Sequence, residues 1–126
     1  MATQDSSKPL AFSVYKNAPK DFKPKLLAEP NVYLQDIFSS EKVNPEKPMS
    51  SGIFRLEKGK ELEYLYTYDE MKIILEGEFT ISDETGQKTK AVPGDHFFFP
   101  SGSKITFTTE DYGLALYVGQ RNKDHA

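Results

Sequence analysis

The chain has 126 residues, 37% of them apolar and 28% charged, with 16 Lys and Arg against 19 Asp and Glu and a formal net charge of −3. That is the size of one ordinary domain with enough apolar material for a core, and it excludes a long disordered chain, a membrane span and the basic surface of a nucleic-acid binder. The absence of cysteine excludes disulfides, thiolate metal sites and cysteine nucleophiles together.

In chain order, residues 1–9 (MATQDSSKP) are small and polar and read as a disordered tail without the apolar centre of a secretory signal. A cytoplasmic protein is the corresponding expectation. Leu10 to Tyr15 (LAFSVY) is apolar and aromatic enough to add an edge strand. Residues 16–30 contain three Pro and four Lys, which predicts an extended arm with at most one helical turn near Leu26 and Leu27. Asn31 to Phe38 alternates as a strand does, and Ser39 to Ser51 is a polar loop.

Beyond the loop the pattern tightens. Strands are predicted over Gly52–Glu57, Leu62–Tyr68, Met71–Phe79, Lys88–Val92, His96–Phe99, Lys104–Thr108 and Leu114–Val118, separated by turn-forming KGK, SDETGQ, PGD, PSGS and TEDYG. Nine Phe and seven Tyr with no Trp, and eight Gly with eight Pro, suit strands broken by frequent turns. Short strands at this spacing, without a helical period between them, predict an all-β sandwich or barrel. The expected layout is an N-terminal arm with flanking strands over 10–51, a barrel over 52–120 and a tail over 121–126.

Two motifs sharpen that class. Glu70 and Gly77 stand at the E-x(6)-G spacing of one, and Gly94, Asp95, Pro100 and Gly102 match the G-D-x(4)-P-x-G of the other. Together, in order, they resemble the cupin family, which implies a single-domain jelly-roll barrel (a double-stranded β-helix). Tyr68, Asp69, Glu70, Leu75 to Glu78, Pro100, Gly102 and Leu116 to Val118 further resemble the branch named after the ethanolamine-utilisation protein Q. In that branch the histidines of the first motif are likewise missing.

In most cupins two motif-one histidines, the glutamate and a motif-two histidine bind a divalent metal. The corresponding positions here are Tyr64, Tyr66, Glu70 and Ile105, and the whole chain has only two His, His96 and His125. A three-histidine site in one chain is therefore impossible, and the expectation is a cupin without a metal cofactor. An irregular set of Glu70, His96 and a Tyr phenolate is the alternative.

Strand parity puts Tyr64, Tyr66, Glu70, Lys72 and Ile74 on one face, which the resemblance directs into the barrel. Glu70, Tyr66 and His96 are the candidate acid/base residues; Tyr64, Lys72, Phe98, Ile105, Phe107 and Tyr117 are the candidate substrate-binding wall. The plainer reading is that the tyrosines pack and that Glu70 pairs with Lys72 to hold the barrel. The functional expectation is acid/base chemistry (isomerisation, dehydration or elimination, or cyclisation) on a small organic molecule inside the barrel, with a non-catalytic binding or scaffold protein as the rival. The expected partners are that small molecule and a second copy of the chain in a homodimer, with no nucleic acid and no membrane.

Overall fold

The structure, a computed structural model, describes residues 9–126; the tail expected over residues 1–9 falls outside it except for Pro9. The elements among the described residues are α1 (Ala18–Asp21), β1 (Leu26–Ala28), β2 (Val32–Ser39), β3 (Ser50–Glu57), β4 (Leu62–Leu65), β5 (Glu70–Gly77), β6 (Phe79–Ser82), β7 (Lys88–Ala91), β8 (His96–Phe99), β9 (Lys104–Thr108) and β10 (Tyr112–Gly119). They form two antiparallel sheets, one ordered β1-β2-β3-β10-β5-β8 and the other β4-β9-β6-β7. The architecture is the expected jelly roll: from β3 onward every pair of successive strands except β6 and β7 switches sheets, and the aromatic residues of both inner faces fill the space between.

Phe54, Phe79, Phe107 and Tyr117 are almost fully buried there. Phe54 stacks on Phe79 at 5.5 Å between ring centroids and meets Phe107 edge-on at 5.4 Å. Offset and edge-to-face contacts of this kind favour the aromatic core beyond its buried area alone.

Three local expectations are corrected. Leu10 to Tyr15 forms no strand; Ala11 and Ser13 line a shallow groove with Phe38, Ser51 and Val118, and Leu10, Phe12 and Val14 are strongly exposed. The single helical turn lies at Ala18–Asp21, where Pro19 presets the backbone of its first turn, while Leu26–Ala28 pairs with β2 as an edge strand. The predicted Met71–Phe79 strand is two strands, broken at Gly77. That residue has φ 69°, and a side chain there would run into the Tyr112 carbonyl. The break sends β5 and β6 into different sheets, which closes the barrel.

The β4 strand also stops early, at Leu65. Tyr66 then exchanges backbone hydrogen bonds with the turn between β8 and β9, its N–H reaching Ser103 O at 2.9 Å and its carbonyl accepting from Gly102 N–H at 2.7 Å. That turn aims the Tyr66 ring inward at the head of β5.

Candidate active site

Inside the barrel, β5 alternates as parity requires: Glu70, Lys72 and Ile74 are buried, Met71 and Ile73 exposed. Cross-strand register then selects the neighbours. Glu70 lies opposite Phe99, and Lys72 lies opposite Phe97 on one side and Tyr117 on the other.

The centre of the site is a buried cluster of Tyr66, Glu70 and Lys72. The Lys72 ammonium sits 2.5 Å from Glu70 Oε2 and 3.2 Å from the Tyr66 hydroxyl, and the Tyr66 hydroxyl donates to the same Glu70 oxygen. Glu70 Oε1 takes no hydrogen bond from the described residues. Around the ammonium stand the rings of Phe54 at 4.9 Å, Phe107 at 5.3 Å, Tyr117 at 5.4 Å, Phe99 at 5.7 Å and Tyr66 at 5.8 Å. Burial pushes the Tyr66 phenol far above its ordinary range, and the Glu70 charge adds to the shift, so this group stays a proton donor. Burial pulls Lys72 below the usual lysine range, opposed by the charge and hydrogen bond of Glu70.

A small cavity of about 30 Å³ opens beside this cluster, lined by Leu27, Leu34, Tyr64, Tyr68, Glu70 and Phe107 among others. It has room for a water-sized group and little more without side-chain movement. The Tyr64 and Tyr68 hydroxyls meet at 2.9 Å on its wall, and burial and that hydrogen bond raise the Tyr68 phenol well above its usual value. The arm therefore contributes to the site: Leu27 of β1 and Leu34 of β2 form part of the rim.

A second buried polar cluster flanks the first. Asp36 Oδ1 accepts from the Tyr117 hydroxyl at 2.6 Å and from Arg121 Nη2 at 2.8 Å; Asp36 Oδ2 accepts from Arg121 Nη1 at 2.9 Å and the Asp124 amide at 2.8 Å. Burial alone would raise Asp36, but these hydrogen bonds, from Arg121 and Tyr117 first, outweigh it and hold the carboxyl below its ordinary range. The Arg121 guanidinium lies over both Tyr68 and Tyr117, at 5.4 and 5.7 Å.

Of the residues expected at the site, Tyr64, Tyr66, Glu70, Lys72 and Phe107 come together. His96 and Phe98 do not: they pair with Ile73 and Met71 on the outer face of the sheet and are exposed. The FFF run has no alternation, so it hides its own parity, and the inward residues are Phe97 and Phe99. Ile105 is buried on the inner face of β9, two residues from Phe107, but lines a separate cleft with Phe97 and Phe99 rather than the small cavity. Tyr117 is fully buried and walls the ammonium rather than the cavity. Sequence reasoning missed Tyr68, which shares the parity of Tyr64 and Tyr66, and missed Asp36 and Arg121, whose contact spans 85 positions.

These residues do not fit a divalent metal. Ile105 has no donor atom, the Tyr66 proton is committed to Glu70, and the Glu70 oxygen that meets Tyr66 already holds the Lys72 ammonium. The irregular set with His96 fails because His96 is on the opposite face of its strand. Among the described residues no group of three His, Asp or Glu is placed to hold a metal ion. No helix among them is long and apolar enough to cross a membrane.

Comparison with known proteins places the chain and its fold. The family model described as ethanolamine utilisation protein EutQ matches residues 4–122. The chain is 33% identical over 88 residues to a protein of Clostridioides difficile (strain 630) named acetate kinase EutQ, covering 69% of this chain and 52% of that protein. It thus spans about half the length of that curated relative. The crystal structure of a protein from Salmonella typhimurium LT2, described as a putative ethanolamine utilization protein Q, superposes with a TM-score of 0.61 at 30% identity over 71% of this chain and 68% of that one. A cupin superfamily protein from Desulfitobacterium hafniense DCB-2 shares the fold, with a TM-score of 0.60 at 20% identity over 87% of this chain and 100% of that one.

Proposed function

We propose a function from one premise: the chain belongs to the ethanolamine utilisation protein EutQ family and has the cupin fold. The reading is proton transfer on a small organic metabolite at the Glu70 carboxylate, of the kind that begins an isomerisation, an elimination or a cyclisation. One observation carries it. Glu70 Oε2 is held by Tyr66 and Lys72, while Oε1 takes no hydrogen bond from the described residues and belongs to a residue that lines the cavity.

A carboxylate oriented through one oxygen and free at the other is arranged to take a proton and give it back. Tyr66 fixes the orientation and Lys72 supplies the compensating charge. The Tyr64 and Tyr68 hydroxyls stand on the cavity wall, where a hydroxyl can stabilise charge developing on a substrate oxygen. The test is solvent exchange: small hydroxy acids, oxo acids, diols and amino alcohols are incubated with the protein in D2O and followed by mass spectrometry. Deuterium gain at carbon that Glu70→Gln abolishes supports the reading; exchange unchanged in a folded Glu70→Gln protein overturns it.

The small cavity favours a second reading, a non-catalytic binding or scaffold protein. Ligand-induced shifts at Tyr64 and Tyr68 in NMR spectra, without any exchange, would select it. The name of the C. difficile relative makes phosphoryl transfer between ATP and acetate the comparison assay. The proton-transfer reading expects no acetyl phosphate from this chain. The proposed assembly is a homodimer that uses the first forty residues, favoured by the exposed Leu10, Phe12, Val14 and Phe38. A monomer by light scattering at high micromolar concentration counts against it.

A further inference from the structure

The geometry points to a barrel that carries its own cation: the Lys72 ammonium takes the role that a bound metal has in metal-binding cupins, and the cage around it is a site for a primary ammonium. Two of the four positions at which the cupin pattern places metal ligands, Tyr66 and Glu70, are the two residues that hydrogen-bond this nitrogen, at 3.2 and 2.5 Å. A third, Ile105, has lost its donor atom altogether.

What replaces the missing ligands is aromatic. Phe54, Phe99, Phe107 and Tyr117 join Tyr66 with ring centroids 4.9 to 5.8 Å from the nitrogen. Ring faces attract an ammonium through their quadrupole, and most strongly where water is excluded, as it is around Lys72 at 3% exposure. A divalent ion wants several oxygen, nitrogen or sulfur ligands in its shell, and phenylalanine rings supply none. The same wall thus favours one kind of cation and rejects the other. The cage draws on five strands, Phe54 from β3, Glu70 from β5, Phe99 from β8, Phe107 from β9 and Tyr117 from β10, with Tyr66 from the link between β4 and β5. The barrel as a whole, rather than the β5 pair alone, is built around the charge.

The inference is independent of whether the chain turns anything over, and its test uses no substrate. Lys72→Ala removes the atoms of n-propylammonium and leaves the rest of the cage. The expected result is that n-propylammonium chloride raises the melting temperature of Lys72→Ala but not of the wild type. The response should be at least roughly ten-fold more potent than that of n-propanol, the neutral match, because only the cation gains the cage and the carboxylate. In Glu70→Gln/Lys72→Ala that preference should shrink but not vanish, because the rings remain. Should Lys72→Ala fail to fold alone, its refolding yield with n-propylammonium against n-propanol gives the same reading. Equal potency of the two compounds, or no effect of either on stability or refolding, overturns the inference. So does elemental analysis that finds one divalent metal per chain in wild-type protein purified without metal resin.

Discussion

Among the described residues two ion pairs are buried, and they are built differently. In the Asp36–Arg121 pair the carboxylate is saturated: both of its oxygens accept two hydrogen bonds each, from Tyr117, the guanidinium and the Asp124 backbone, while Arg121 Nε has no partner among the described residues. In the Glu70–Lys72 pair it is unsaturated, with every donor on Oε2 and the other oxygen unengaged by the described residues. A buried carboxylate bonded at both oxygens repays much of the cost of its desolvation and pins what it touches. Here it pins the chain after β10 onto β2. A pair with bonding capacity left over next to a cavity stabilises the fold less and has a free acceptor for a ligand. The first reads as architecture and the second as site.

Mutation tests that contrast directly. The largest effect is expected at the saturated carboxylate: Asp36→Ala strands the Arg121 charge and should cost about 3–5 kcal/mol of unfolding free energy in urea titrations. Next comes chemistry. Once an exchanging or reacting metabolite is found, Glu70→Gln should slow it by roughly 10²-fold, about 2.7 kcal/mol, while the protein stays folded by circular dichroism. Asp36→Ala protein that remains folded should lose far less in that assay, and a loss as large as that of Glu70→Gln would erase the distinction between the two pairs.

A smaller effect is expected with pH. The folded-state pKa of Asp36 is lowered, so its contribution to stability is complete above the unfolded value of about 3.9 and is lost as pH falls through the folded one. The stability gap between wild type and Asp36→Asn should therefore narrow as the pH drops below about 3.9, and a gap that stays constant to pH 2 would contradict the assignment. The smallest effect concerns removal of both site charges together. Glu70→Gln/Lys72→Met should lie within about 1 kcal/mol of the wild type or be more stable, because an unsaturated buried pair gains little over apolar packing. A large loss there would make Glu70–Lys72 as structural as Asp36–Arg121.

Much of the site was legible along the chain because strand parity is local. Tyr64, Tyr66, Glu70 and Lys72 fall on one face by counting in twos from a motif glutamate, and the turn residues around Gly77 and Gly94 announce where strands end. Counting fails where the sequence has no alternation: in FFF either Phe98 or its two neighbours point inward, and only pairing with β5 decides that Phe97 and Phe99 do. The same pairing turns His96 outward, although a histidine beside a motif aspartate is chemically suggestive.

The sequence by itself determined the fold class and the family, since turn chemistry and motif spacing are properties of consecutive residues. It also determined that no three-histidine metal site exists, because composition alone limits the ligands. Only the tertiary structure decided what surrounds the charges. The aromatic cage of Lys72 draws one side chain from each of several strands, and the Asp36–Arg121 pair joins residues 85 apart. Such contacts are set by which strands pair and in what register, and a shift of one residue in any of them would turn the side chain to the opposite face.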